Sequence, residues 1–541
     1  MHTLNERILP SKRRKSIAII GGGLTGLMTA KELQEQGFAV TVFEEDARLG
    51  GHIKTVMAPH EGLMIESGAE LISGKHEHVL KLAQELGLEV QPLSTPDNSA
   101  DTGTLLHFGG QVYTQSEFES TFAILAQAIA QDESELYFRT DLPIDSTRDI
   151  PWNRHVAEKL DAMSLRDYLL EKKQQLHVAG NDIPDWLIEA IATSYGGEIG
   201  QDAERISALT FVTMLNTSLL RSGNAQGLEM PGEEDQIYRI RGGNEALIGA
   251  LVDRVLSTAP PPNHFHRGGG VIRHSSPVTH VQQIPRNRVS VTYQNHGQLQ
   301  TEQFDGLVTT MSMSALRQIP GMQHVLQRHS TASEDVDIIE TMQESDVSKI
   351  TFQTRLPPAQ LLATLNDGKA FEGIIYTDSG PQTIWVSSSN QRTTYGKPPR
   401  GGLITCYVCG ETSRLAAPEK AALCEKAILQ MLQSRDATLT RNAIFTDNPP
   451  VVSDWVDNLQ GCFASPAPGQ FLPLCDFNPY HGNIVTTGSF LPLTVNNPTT
   501  EEGFDIDIQL GYMNNAINAA KQAANHLTAY YAKRSASVPL R

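Results

Sequence analysis

Three glycines, Gly21, Gly23 and Gly26, followed by an acid at Glu44, are the residues whose types and spacing speak most directly of chemistry. In a Gly-x-Gly-x-x-Gly run the first glycine allows a tight turn and the second lets a pyrophosphate approach the backbone. The third lets a helix pack closely on a strand. Glu44 stands 18 residues past Gly26, where a carboxylate bonds a ribose 2′-hydroxyl and repels a 2′-phosphate. The chemistry open to this set is the holding of a dinucleotide.

Those residues need a strand, a turn and a helix in that order. Residues 17–20 form a short apolar strand that runs into Gly21, and helix-compatible sequence follows to about Gln36. A second strand, Ala39–Phe43, then delivers Glu44. The N-terminus of the helix aims free N–H groups and the positive end of its dipole at the phosphates.

The next segment, Asp46-Ala47-Arg48-Leu49-Gly50-Gly51-His52-Ile53-Lys54-Thr55, resembles the flavin-containing amine oxidase superfamily. That group holds monoamine and polyamine oxidases, L-amino-acid oxidases, protoporphyrinogen oxidase and phytoene desaturases. The glycine pair and Thr55 match its pattern, and His52 stands where Arg is usual. Ile65-Glu66-Ser67-Gly68-Ala69-Glu70 resembles the segment passing under the isoalloxazine. Leu160–Ser164 and Tyr195-Gly196-Gly197-Glu198 are similar to parts of the substrate domain. Residues 277–281 and 289–293 resemble the hairpin whose backbone meets the adenine. Tyr238–Asn244 ends a strand in a Gly-Gly turn, and Asn244 is placed to cap the next helix. Thr487-Gly488-Ser489 and Gly511-Tyr512-Met513 resemble the closing flavin motif, with Asn514 and Asn515 in place of the usual Glu-Gly.

The resemblance implies an α/β fold in which a Rossmann-like FAD-binding domain is interleaved with an α+β substrate-binding domain. The first would comprise residues 1–95, 233–325 and 451–541, and the second 96–232 and 326–450. The implied cofactor is FAD. Its expected contacts are Gly21, Gly23, Leu24, Thr25, Gly26, Glu44, Glu45, Arg48, Gly50, Gly51, His52, Gly68, Ala69, Glu70, Val278, Cys462, Gly488, Ser489, Tyr512 and Met513.

Three residues carry the reactive roles that the resemblance implies. A Lys matching Lys349 holds a water against flavin N5 and assists reaction with oxygen, where positive charge stabilises developing negative charge. Tyr512 matches one wall of an aromatic cage beside the flavin, and Phe463 matches the other. Cys462 occupies the place of the Cys that monoamine oxidases join to the flavin, so a covalent link stays open beside the noncovalent binding usual in the family.

Composition sets outer bounds. The chain has 541 residues, 40% of them hydrophobic and 19% charged, an ordinary enzyme composition. A net charge of −18 disfavours nucleic acid and anionic membrane as partners and favours cationic substrates. No apolar run approaches the ~18 residues of a spanning helix, and Ser11–Lys15 leads straight into the first strand without a signal-peptide core. Five cysteines suggest no disulfide framework, so a cytoplasmic location is expected. Cys406 and Cys409 have redox spacing but sit in an apolar strand, which reads as a buried structural pair. His264 and His266 lie in a Pro/Gly loop and read as surface residues, not metal ligands. Residues 259–270 and 388–402 read as mobile surface loops.

The expected activity is oxidation of the carbon next to nitrogen in an amine or L-amino acid, giving an imine and peroxide. Oxygen is the expected acceptor, and a homodimer is left open. Two rivals remain: a desaturase or aromatising oxidase of a ring or polyene, and a flavin-binding scaffold without turnover. An amino-acid substrate would require an Arg clamp for its carboxylate, and Arg154, Arg166, Arg205, Arg221, Arg355 and Arg392 are available.

Overall fold

The structure, a computed structural model, describes residues 14–59, 61–93, 100–136, 150–214, 238–258, 272–327, 334–455, 463–491, 493–497, 505–509 and 511–536. β1 (Ser16–Ile20) lies between β2 (Ala39–Phe43) and Gly306–Thr309, parallel to both. Ile17, Ala18 and Ile19 have no exposed surface. Both faces of the strand are covered, so its sequence is continuously apolar instead of alternating. Ile484–Thr486 and Ile272–Arg273 extend the sheet in parallel, and Tyr480–His481 closes one edge antiparallel. α1 (Leu24–Glu35) follows the glycine turn and packs against Glu245–Thr258 and the long helix Met513–Ala536.

A three-stranded antiparallel sheet, Val278–Ile284, Arg288–Asn295 and Gln298–Phe304, stands beside it. Here the burial alternates: Val289, Val291 and Tyr293 are fully buried and the residues between them are not. The pairing shifts register between Val278 and His280, a bulge in the first strand.

The second large sheet has seven strands. Their order is Val451–Asp454, Val347–Thr354, Gly402–Cys409, Thr383–Val386, Ile374–Thr377, Thr104–Phe108 and Gln111–Thr114. Every residue of Val347–Thr354 is buried, Lys349 included. Val451–Asp454 pairs with this sheet although it lies past the boundary drawn at 450/451 from the sequence. Helices Gln115–Leu136, Leu165–Val178, Asp185–Ile199 and Ala208–Met214 share a core with Leu106, Phe108 and Tyr376.

Three local expectations change. Cys406 and Cys409 are both buried, but three residues apart on a strand they face opposite ways. Cys406 adjoins Cys424, while the Cys409 thiol donates to Gly196 O. Residues 388–391 are not a loose loop, because Ser388, Ser389 and Gln391 are buried and Arg239 donates to Ser387 O and Ser389 O. Asn244 precedes its helix but its Oδ1 accepts from Ile240 N, and its amide donates to Ala69 O and Glu70 O. It braces the 69–70 segment where a cap was expected. Residues 259–270, with His264 and His266, lie outside the described residues, as does Arg221. Among the described residues no helix is long and apolar enough to cross a membrane, and no cluster of metal-ligating side chains occurs.

Candidate functional site

The first wall is the glycine turn. Gly21 N donates to Phe43 O at 2.9 Å, which ties the turn to β2, and α1 begins directly after Gly23. A Cβ on Gly26 would lie 1.9 Å from Gly21 O, so only glycine lets α1 cross β1 this closely. Thr310 Oγ1 donates to Ile20 O at 3.0 Å and fixes the end of β1. The Glu44 carboxylate accepts from Gly22 N at 2.6 Å and Asp46 N at 2.9 Å. Burial raises its carboxyl above the ordinary range, and the N–H groups of Asp46 and Gly22 oppose the rise. Gly50 N donates to Gly22 O at 2.9 Å, joining the second glycine pair to the first turn. The Arg48 guanidinium spends its donors on Leu49 O, Ile53 O and Gly51 O, so it holds that loop in shape.

A cavity of about 870 Å³ runs along these elements. Of the residues expected to contact the cofactor, Gly21, Gly23, Leu24, Thr25, Glu44, Glu45, Arg48, Gly50, Gly51, His52, Ala69, Val278, Gly488, Ser489, Tyr512 and Met513 line it. Gly26 instead packs helix on strand, and Gly68 and Glu70 sit behind Ala69. Cys462 lies outside the described residues. Sequence reasoning did not single out Thr310, Ser345 or Glu344, which also line the cavity. They come from separate strand ends and carry no motif. Such a lining suits an anionic dinucleotide: a helix N-terminus, exposed glycine backbone and a carboxylate for a diol.

At the other end, Gly511 N donates to Ser489 O at 2.8 Å. Gly511 has φ +82°, and a Cβ there would lie 2.9 Å from Phe463 Cγ, so glycine is required. Phe463 therefore packs on the residue just before Tyr512. Its ring also meets Trp455 edge-on, with centroids 6.4 Å apart. The Tyr512 ring lies 5.2 Å from that of His76, and its hydroxyl donates to Glu198. Trp455 Nε1 donates to Ser67 O at 2.9 Å, and its ring stacks on His52 at 6.1 Å.

Behind Ala69 lies a buried charge network. Lys349 Nζ donates to Glu66 O at 2.7 Å, to Gly68 O at 3.2 Å and to the Glu70 carboxylate. An ammonium has three N–H donors, and all three are engaged. A water held by Lys349 would thus require one of these bonds to open. Trp385 Nε1 donates to Glu70 at 3.2 Å. Glu66 accepts from Asn244 N at 2.8 Å and Thr55 Oγ1 at 2.8 Å.

Burial pushes the Glu66 carboxyl from 4.5 to about 7, the Asn244 N–H and Thr55 hydroxyl resist, and nearby Glu70 adds to the rise. The unfolded carboxyl loses its proton near 4.5 while the folded one keeps it to about 7. The stability Glu66 contributes is therefore complete below the lower value and declines as pH rises through the upper one. Urea unfolding across this window should show wild type losing up to ~3 kcal/mol relative to Glu66→Gln. Parallel pH profiles for the two proteins would refute that assignment.

Residues 24–494 match the family model described as flavin containing amine oxidoreductase. The flavin-dependent L-tryptophan oxidase RebO of Lentzea aerocolonigenes is 23% identical over 436 residues, covering 74% of this chain and 76% of that protein. Flavin-containing amine oxidase B of Bos taurus is 26% identical over 155 residues, 28% of each chain. Among solved structures, wild-type putrescine oxidase bound to putrescine aligns over 96% of this chain and 99% of its own, with TM-score 0.67 and 16% identity. Cyclohexylamine oxidase from Brevibacterium oxydans aligns over 96% and 100%, with TM-score 0.67 and 17% identity. These neighbours share its two-domain fold. The chain belongs to the flavin-containing amine oxidoreductase family, and its cofactor is FAD.

Proposed function

We propose that the protein is an oxidase of amines or α-amino acids that uses oxygen as electron acceptor. One observation carries this reading: a single cavity is lined at one end by the glycine turn and Glu44, and at the other by Ser489, Tyr512 and Met513. Gly21, Gly23 and the α1 N-terminus are placed to hold a pyrophosphate, and Glu44 to accept from ribose hydroxyls. The bulge at Val278 frees backbone for the adenine. Gly488, Ser489 and the N-terminus of Met513–Ala536 close on the other end. When bound, FAD supplies two-electron redox chemistry toward the C–H bond next to nitrogen.

The chain's own residues orient the amine and exclude water. Tyr512 and Phe463 converge at Gly511, where aromatic surface orients an alkyl amine and excludes water. Lys349 fixes the backbone of residues 66–68 and carries positive charge behind Ala69. The reaction R–CH2–NH2 + O2 gives R–CH=NH + H2O2, and water then hydrolyses the imine. We also assign residues 1–95, 233–325 and 451–541 to the cofactor domain, apart from Val451–Asp454, which pairs with the sheet of the other, and 96–232 and 326–450 to the substrate domain, and place the protein in the cytoplasm on its composition.

Oxygen uptake and peroxide formation by the FAD-loaded protein, with a panel of primary amines and L-amino acids, test the reading. One peroxide per oxygen with at least one class is expected. No uptake with either class, in protein carrying stoichiometric FAD, would overturn it.

A further inference from the structure

The cavity leaves open whether the substrate is a plain amine or carries an α-carboxylate. Glu198 bears on that choice. It lies in the last turn of helix Asp185–Ile199, and its carboxylate accepts from the hydroxyl of cavity-lining Tyr512. The turn after it reaches the same place: a Cβ on Gly200 would lie 3.1 Å from Phe463 Cζ and 2.5 Å from Ser345 Cβ. Ser345 N donates to Phe463 O at 2.9 Å. Ser345 lines the cavity, and its buried Oγ has no hydrogen-bond partner among the described residues. The helix end, Tyr512, Phe463 and Ser345 therefore meet at one point, where Tyr512 and Ser345 line the cavity.

Glu198 differs from the neighbouring acids. Glu70 is paired with Lys349, and Asp346 with Arg414. Glu66 and Glu344 accept from backbone N–H groups. Glu198 accepts one bond, from a neutral phenol, and no cationic side chain pairs with it among the described residues. Burial raises its carboxyl, as expected for a desolvated acid lacking a counter-charge. A half-buried carboxylate with no cationic partner among the described residues gains from a cationic ligand.

Among the described residues, most arginines that could clamp a carboxylate are engaged elsewhere. Arg154 pairs with Asp476, Arg166 with Glu189, Arg205 with Asp346 and Arg355 with Asp447. Arg392 is exposed. Arg48 lines the cavity but is bound to three carbonyls.

We propose that Glu198 receives the ammonium group of the substrate, so that the site selects amines lacking an α-carboxylate over α-amino acids. This rests on the amine-oxidase reading. The ammonium pairs with Glu198, which takes its proton and so frees the nitrogen lone pair for oxidation, while an α-carboxylate placed there would meet like charge and, among the described residues, no free guanidinium.

Anaerobic reduction of the FAD-loaded protein is to be compared for benzylamine against L-phenylglycine and butylamine against L-norvaline. Each amine should reduce the flavin at a concentration at least about tenfold below its amino-acid partner. In Glu198→Gln the amines should lose at least about tenfold in apparent affinity while the amino acids do not weaken. Preference for amino acids in wild type, or unchanged amine affinity in Glu198→Gln, overturns the proposal.

Calorimetry with choline and its uncharged isostere 3,3-dimethyl-1-butanol separates this inference from the oxidase reading, because neither ligand need be oxidised. Wild type and the charge-keeping Glu198→Asp should prefer choline, and Glu198→Gln should not. Equal affinity for both ligands in wild type refutes the role of Glu198 even if amines are oxidised. If neither substrate class reduces the flavin, the oxidase reading falls, and a choline preference lost in Glu198→Gln still supports the ammonium site. Should Glu198→Gln fail to retain FAD, wild type and Glu198→Asp decide.

Discussion

Replacing Lys349 by methionine is expected to cost the fold about 3–5 kcal/mol, the penalty for stranding one partner of a buried ion pair. Lys349 is 3% exposed and Glu70 8%. Removing the ammonium leaves the Glu70 carboxylate with the Trp385 indole, and takes a donor from Glu66 O and Gly68 O. The pair also joins two distant parts of the chain, since Lys349 is on the seven-stranded sheet and Glu70 is in the segment behind the cavity. Glu70→Gln alone should be similarly harmful, because it leaves the buried ammonium facing only Glu66, whose own carboxyl burial holds up to about 7. The double variant Glu70→Gln/Lys349→Met should cost less than the two singles together, by about 2 kcal/mol or more of coupling. Urea unfolding of the four proteins measures this. A Lys349→Met protein as stable as wild type, but slow toward oxygen, would mean that the ammonium is free to hold water and that the network is incidental.

Gly26→Ala should empty the protein of FAD. The added methyl would sit 1.9 Å from Gly21 O and 3.0 Å from Thr310 Oγ1, and the first of these is backbone that cannot rotate away. Either α1 lifts off β1 or the Gly21 turn deforms, and both displace the helix N-terminus from the cavity. A displacement costing about 3 kcal/mol in phosphate contacts weakens cofactor affinity by roughly a hundredfold. The variant should purify colourless, with an unfolding midpoint near that of deflavinated wild type. Gly37→Ala serves as the control, since nothing lies within 4 Å of the added atom. There the cost should be only that of a positive φ, and FAD should stay bound. Full FAD content in Gly26→Ala would mean that the turn tolerates a looser helix than its geometry implies.

The cofactor end was legible in the sequence because its requirements are local. Gly21, Gly23 and Gly26 are dictated by one turn, and Gly50, Gly51 and Gly511 by backbone conformations with positive φ or close neighbours. Strand, turn and helix follow each other directly, so spacing alone placed Glu44 at the cavity. The reactive end was less legible, since its partners converge from far along the chain. Glu198 and Tyr512 are 314 residues apart, and Lys349 and Glu70 are 279 apart. No periodicity or spacing marks such a pairing. Glu198 was visible as part of a familiar segment, but its position against Tyr512 depends on how Asp185–Ile199 packs. The same limit explains Cys406, whose neighbour Cys424 comes from a helix and not from the Cys-x-x-Cys run. It also explains residues 388–391, which look like loop but are held by Arg239 from a remote strand.

The central claim is that this cavity oxidises a C–H bond next to nitrogen. Anaerobic mixing of the yellow FAD-loaded protein with excess benzylamine or butylamine, followed by air, tests it most directly. The account predicts loss of the oxidised flavin band, its return when air exhausts the amine, and equal amounts of peroxide and aldehyde. An oxidised band that stays intact with the primary amines and the L-amino acids alike, in protein of full FAD content, would contradict it.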